Sequence, residues 1–123
     1  MRSGRHGEEN EFDPDTFTAA DFAALSGTWE QMGVDAGRAE REDPDGQIDD
    51  DVALVTPWGV DLAAVRAPVL LLQGGEDRIA PRSHAEQLHR GIARSELRLR
   101  TDDGHISVLD ACPEAMDWLV AHP

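Results

Sequence analysis

Four consecutive apolar residues, Val69 to Leu72, stand between Pro68 and the pair Gly74-Gly75. A continuous apolar run of that length, closed by turn residues, is what a strand buried on both faces of a parallel sheet looks like. Further on, Glu96 to Thr101 alternates, with Leu97 and Leu99 on one face and Arg98 and Arg100 on the other. Alternation at period two predicts a half-exposed strand at a sheet edge. Between them, Ser83 to Ile92 sets Ala85, Leu88 and Ile92 at helical spacing. Strand, helix and strand make a crossover unit, two parallel strands side by side with a right-handed connection. The fold class that follows is α/β, with two parallel strands and flanking helices.

Asp77 follows the first strand and His105 the second. Both therefore belong at the carboxyl edge of the sheet, where open α/β sheets hold their ligands. A carboxylate meeting an imidazole there fixes its tautomer and stabilises the imidazolium formed when the histidine acts as a base. Gly74 and Gly75 permit a sharp exit from the strand. Glu76 is a second carboxylate that could fill the acid's role, and Asp102 and Asp103 are placed to hold the histidine loop. His84 and His89 are five residues apart, not the four of paired helix ligands. The plainer reading of Asp77 is an acid in a turn, and of His105 a loop histidine.

Taken together, Gly-Gly-Glu-Asp-Arg-Ile-Ala-Pro and the later Asp-Gly-His, with Asp77 and His105 28 positions apart, resemble the end of an α/β-hydrolase domain. That family carries its triad in the chain order nucleophile, acid, base. The resemblance implies Asp77 as acid and His105 as base, on a partial α/β-hydrolase fold. It covers residues 57–123 well and the region before them loosely. It further implies that residues 13–56 are a helical cap-like segment over the site. Trp29, Met32 and Trp58, with Phe22, are then candidates for a substrate-facing wall; packing of a helical hairpin explains the same residues. The implied activity is ester or acyl-type hydrolysis of a small molecule, without cofactor or metal. Haloalkane and epoxide hydrolysis, by an Asp nucleophile, also occur in this fold.

The family's nucleophile elbow, Gly-x-Ser-x-Gly, is missing. None of Ser3, Ser26, Ser83, Ser95 and Ser107 has that context, and no Asp or Cys elbow replaces it. His6-Gly7 has no strand before it to make an oxyanion-hole motif. The expectation is a C-terminal portion of a hydrolase, inactive alone. Its interior strand is left with an unpaired apolar edge that invites self-association. The alternative is a small acidic α/β module that binds without catalysis.

Composition narrows the partners. Eleven Lys and Arg against 25 Asp and Glu give a formal charge of −14. That balance argues against nucleic acid, whose phosphates need cations, and against anionic membrane surfaces. No apolar segment approaches the length of a membrane span. Met1 to Asn10 lacks the apolar core of a signal peptide, so a cytoplasmic location is expected by default. The single cysteine, Cys112, excludes an intrachain disulfide.

Along the chain, residues 1–12 are expected to be a disordered polar tail. Asp15 is expected to cap a helix over 16–25, and Thr28 a second from Trp29 to about Arg38. Glu40 to Gly46 is expected as a charged turn. Asp49-Asp50-Asp51 then opens a helix, where acids suit the dipole; their spacing does not match a Ca²⁺ loop. After His105, Ile106 and Val108 are expected to turn inward. The last helix opens near Pro113 and buries Ala115, Met116, Leu119 and Val120, with Trp118 alongside.

Overall fold

The computed structural model describes residues 15–42 and 44–123. The tail over 1–12, His6-Gly7 included, lies outside the described residues. In chain order the helices and strands are α1 (Ala19–Leu25), α2 (Glu30–Glu42), α3 (Pro44–Val55), β1 (Val69–Gly74), α4 (Arg82–Gly91), β2 (Ser95–Arg100) and α5 (Cys112–Ala121). Single 3₁₀ turns lie at Leu62–Ala64 and Ser107–Ala111.

β1 and β2 pair in parallel, with Val69 opposite Ser95 and Gly74 opposite Arg100. The crossover unit is therefore present. α4 packs on both strands, burying Ala85 and Ile92, while Leu88 stays largely exposed. The expectation that β1 is buried on both faces is corrected: Val69 to Leu72 are only half-buried. A second flanking strand is needed to bury such a run, and among the described residues the sheet has two strands.

The N-terminal half differs from expectation in its boundaries. The cap of α1 is Thr18, not Asp15. Thr18 Oγ1 accepts from Asp21 N at 3.2 Å, and Asp21 Oδ2 accepts from Thr18 N at 3.0 Å. This reciprocal pair is a capping box, which satisfies two N–H groups that the first turn leaves orphaned. α2 continues through the expected charged turn to Glu42. α3 opens at Pro44, where a missing N–H costs nothing, so Asp49 to Asp51 sit inside the helix rather than at its start. Ile48, Val52, Leu54 and Val55 on α3 are all exposed.

α5 also corrects the sequence reading. Trp118 is its buried residue, at 6% exposure, whereas Met116, Leu119 and Val120 are 65%, 60% and 82% exposed. At about 100° per residue, positions 116 and 120 point some ~160° away from 118. One large aromatic turned toward the sheet thus leaves the aliphatic stripe outside. Ile106 is buried as expected, and Ala111 joins it in the small core. Arg98 links Glu96 on β2 to Glu114 on α5, at 2.6 Å to each. No helix of the described residues is long and apolar enough to cross a membrane.

Candidate active site

The two strand ends deliver Asp77 and His105 to one place. Asp77 Oδ2 lies 2.9 Å from His105 Nδ1. Its other oxygen, Oδ1, accepts from Ile79 N and Ala80 N, both at 2.8 Å. The Asp77 side chain is 6% exposed and that of His105 38%. A carboxylate has only lone pairs to offer, so this pairing puts the proton on Nδ1. The Nε2 lone pair is left without a hydrogen-bond partner among the described residues. Glu76 does not compete for the histidine: its side chain is exposed, and its backbone N–H instead donates to Asp103 O at 2.9 Å.

Two glycines bring the loops this close. A Cβ on Gly74 would collide with the carbonyl oxygen of Gly104 and stand 2.6 Å from that of Asp103. A Cβ on Gly104 would run into the carboxyl group of Asp21. Neither position has room for a side chain. Gln73, buried at the end of β1, adds a cross-tie by donating to Ala80 O at 2.9 Å. Asp103 contributes its backbone and a side-chain pair with Arg100 at 2.8 Å; Asp102 is exposed.

Asp21 is the residue that sequence reasoning missed. It lies in the first helix and is fully buried, at 0% exposure. Its Oδ1 accepts from Ile106 N at 2.8 Å and Ser107 N at 2.9 Å. Its Oδ2 accepts from Thr18 N and, at 3.3 Å, from His105 N. Ser107, also buried, accepts Gly104 N at 2.9 Å through its Oγ. The signal was available in part: Thr18-Ala-Ala-Asp21 has the spacing of a capping box, though nothing in that pattern announces a partner far along the chain.

With this geometry in view, comparisons with known proteins have a bearing. No family model matches the chain, and no solved structure does. Over 45 residues it is 49% identical to the AB hydrolase superfamily protein YisY of Bacillus subtilis (strain 168). That stretch is 37% of this chain and 17% of the relative's own length. The match supports an α/β-hydrolase relationship for that portion of the chain.

The expected substrate-facing residues are placed as follows. Trp58 is 69% exposed and donates its Nε1–H to Ala53 O at 2.7 Å. It lines a shallow open groove with Asp50, Ala53 and Leu54. Trp29 donates to Asp110 Oδ1 at 2.8 Å, joining the start of α2 to the 3₁₀ turn after His105. Met32 is half-buried on α2. Among the described residues no three His, Cys, Asp or Glu side chains form a group that could hold a metal ion. His89 is engaged with Ser95 Oγ at 2.8 Å, and Cys112 is a free thiol.

Burial pushes the Asp21 carboxyl up, but hydrogen bonds from Ser107, Thr18 and Ile106 outweigh it and hold the carboxyl below its ordinary value. A depressed folded-state value means stability that is present above the unfolded value, about 3.9, and lost as pH falls through the lower one. Asp21→Asn, which has no charge to lose, is expected to show a flatter decline in urea midpoint between pH ~6 and pH ~3 than the unaltered chain. Parallel declines in the two chains would remove this role.

Proposed function

We propose that this chain carries the acid and the base of an α/β-hydrolase-type ester or acyl hydrolase acting on a small molecule. The observation that supports this is the Asp77–His105 hydrogen bond at the carboxyl ends of two neighbouring parallel strands, with Nε2 open. In this reading Asp77 orients His105 and stabilises its imidazolium form. His105 Nε2 takes the proton of an attacking nucleophile and returns it to the leaving group. The nucleophile comes from a strand–turn–helix elbow outside these 123 residues. The outer edge of β1, unpaired among the described residues, is where the rest of such a sheet, or a second copy of the chain, adds a strand. Residues 13–56 are the cap-like segment of the same reading; Trp29 and Met32 on it, and Trp58 just beyond it, are the substrate-side candidates.

Ser107 does not serve as a substitute nucleophile here, because its buried Oγ already braces Gly104. The chain of 123 residues is therefore expected to hydrolyse p-nitrophenyl esters no faster than buffer, and a fusion supplying an upstream nucleophile elbow is expected to gain turnover. Turnover by the chain alone that disappears in His105→Ala would overturn the inactivity. The missing elbow also favours a second reading, a non-catalytic acidic binding module. A folded fusion that stays inert while His105 keeps its hydrogen bond to Asp77 selects that reading.

A further inference from the structure

The loop that carries His105 rests on a buried carboxylate from the far end of the chain. An ionised group out of water is costly unless its lone pairs are filled, and Asp21 has them filled almost entirely by that loop. Three consecutive backbone N–H groups, of His105, Ile106 and Ser107, converge on its two oxygens at 3.3, 2.8 and 2.9 Å. The fourth donor is Thr18 N, which fixes the carboxylate to α1 through the capping box. Gly104 packs so closely that a Cβ there would strike the carboxyl group. Hydrogen bonds from N–H groups to an ionised carboxylate are about twice as strong as neutral ones. They also fix direction, because three successive amides cannot all face one carboxylate in more than a narrow range of loop conformations. On that loop the imidazole is 38% exposed and is held at Asp77 by one ring hydrogen bond. Asp77 can therefore hold the ring only if the loop backbone delivers it within hydrogen-bond reach.

We propose that Asp21 is a positioning residue for His105: by clamping the amides of residues 105–107 it sets the loop backbone that presents the imidazole to Asp77. It touches neither the imidazole ring nor any reacting group. The proposal rests on the reading of His105 as the base, since only then does the ring's orientation matter for chemistry.

The experiment is NMR of the 123-residue chain labelled with ¹⁵N-histidine and with ¹³C-methyl leucine. In the unaltered chain His105 is expected as the Nδ1–H tautomer with a hydrogen-bonded, downfield ring proton. Asp77→Asn supplies the reference spectrum of a His105 without its carboxylate partner. Asp21→Asn turns a donor toward Thr18 N and His105 N. It is expected to abolish the hydrogen-bonded Nδ1–H signal, while the methyl signals of Leu71 and Leu97 show the paired strands intact. A merely structural role would not change the tautomer of a ring that Asp21 does not touch. If Asp21→Asn fails to fold, Asp21→Ser carries the same test, since serine suits the first turn but its one hydroxyl oxygen cannot serve three amides. A folded Asp21 variant whose His105 matches the unaltered chain overturns the inference. A His105 that lacks the Nδ1–H signature already in the unaltered chain overturns the acid–base reading, and the inference with it.

Discussion

Replacing His105 by alanine, in a protein that joins this chain to a nucleophile elbow, lowers ester turnover by about 10²- to 10⁴-fold. The expectation follows from the ring's two nitrogens. Nδ1 is committed to Asp77, which leaves Nε2 as the one base positioned to relieve a nucleophile of its proton. Removing the ring removes a contribution made in the transition state, so kcat and kcat/KM fall together while KM changes little. Asp77→Asn is expected to be severe as well. An amide in that position can still accept from Ile79 N and Ala80 N through its oxygen. It then turns an N–H toward Nδ1 and selects the wrong tautomer. Steady-state kinetics on p-nitrophenyl esters measure both variants, and turnover unchanged in either one strips that residue of its role.

Trp118→Ala is expected to cost about 3–5 kcal/mol of folding stability. The other buried apolar residues, Ala85, Ile92, Ile106 and Ala111, are smaller. Trp118 fills the space that would otherwise need several aliphatic side chains. Its Nε1–H donates to Glu96 Oε2 at 3.0 Å. Its ring stacks on His122, with centroids 4.1 Å apart and planes inclined by 17°. Against a typical domain stability of about 5–15 kcal/mol, that loss is a large share of the total. Urea unfolding gives the measurement, with Met116→Ala, on the exposed side of α5, expected to change stability by no more than about 0.5 kcal/mol. Equal shifts for the two substitutions would mean that α5 does not hold the domain through Trp118.

What could be read from the sequence was whatever local pattern dictates. The apolar run 69–72 between Pro68 and Gly74-Gly75 gave the first strand, and Leu97 and Leu99 alternating with arginines gave the second. Residues just past two parallel strand ends are brought together by topology, so Asp77 and His105 could be paired without knowledge of side-chain packing. What escaped was whatever depends on a partner remote in sequence. The burial of β1 is fixed by how many strands flank it, which its own residues do not encode. The aliphatic stripe of α5 has the right spacing to be buried, but Trp118 took the inner face. Asp21 looked like any polar residue near a helix start. Its capping geometry is local, while its three loop amides lie more than eighty residues away.

That separation has a consequence for synthesis. Asp21 and Ser107 are 86 positions apart, and at 5–20 residues per second a ribosome needs roughly 4 to 17 s to make the intervening chain. For those seconds α1 has its capping box at most, and the Asp21 carboxylate stays hydrated. An isolated helix of seven residues is too short to persist in water. The first helix among the described residues is thus among the last elements to become permanent. Nascent chains stalled before Gly104 should expose α1 to protease, and chains extended past Ala111 should protect it.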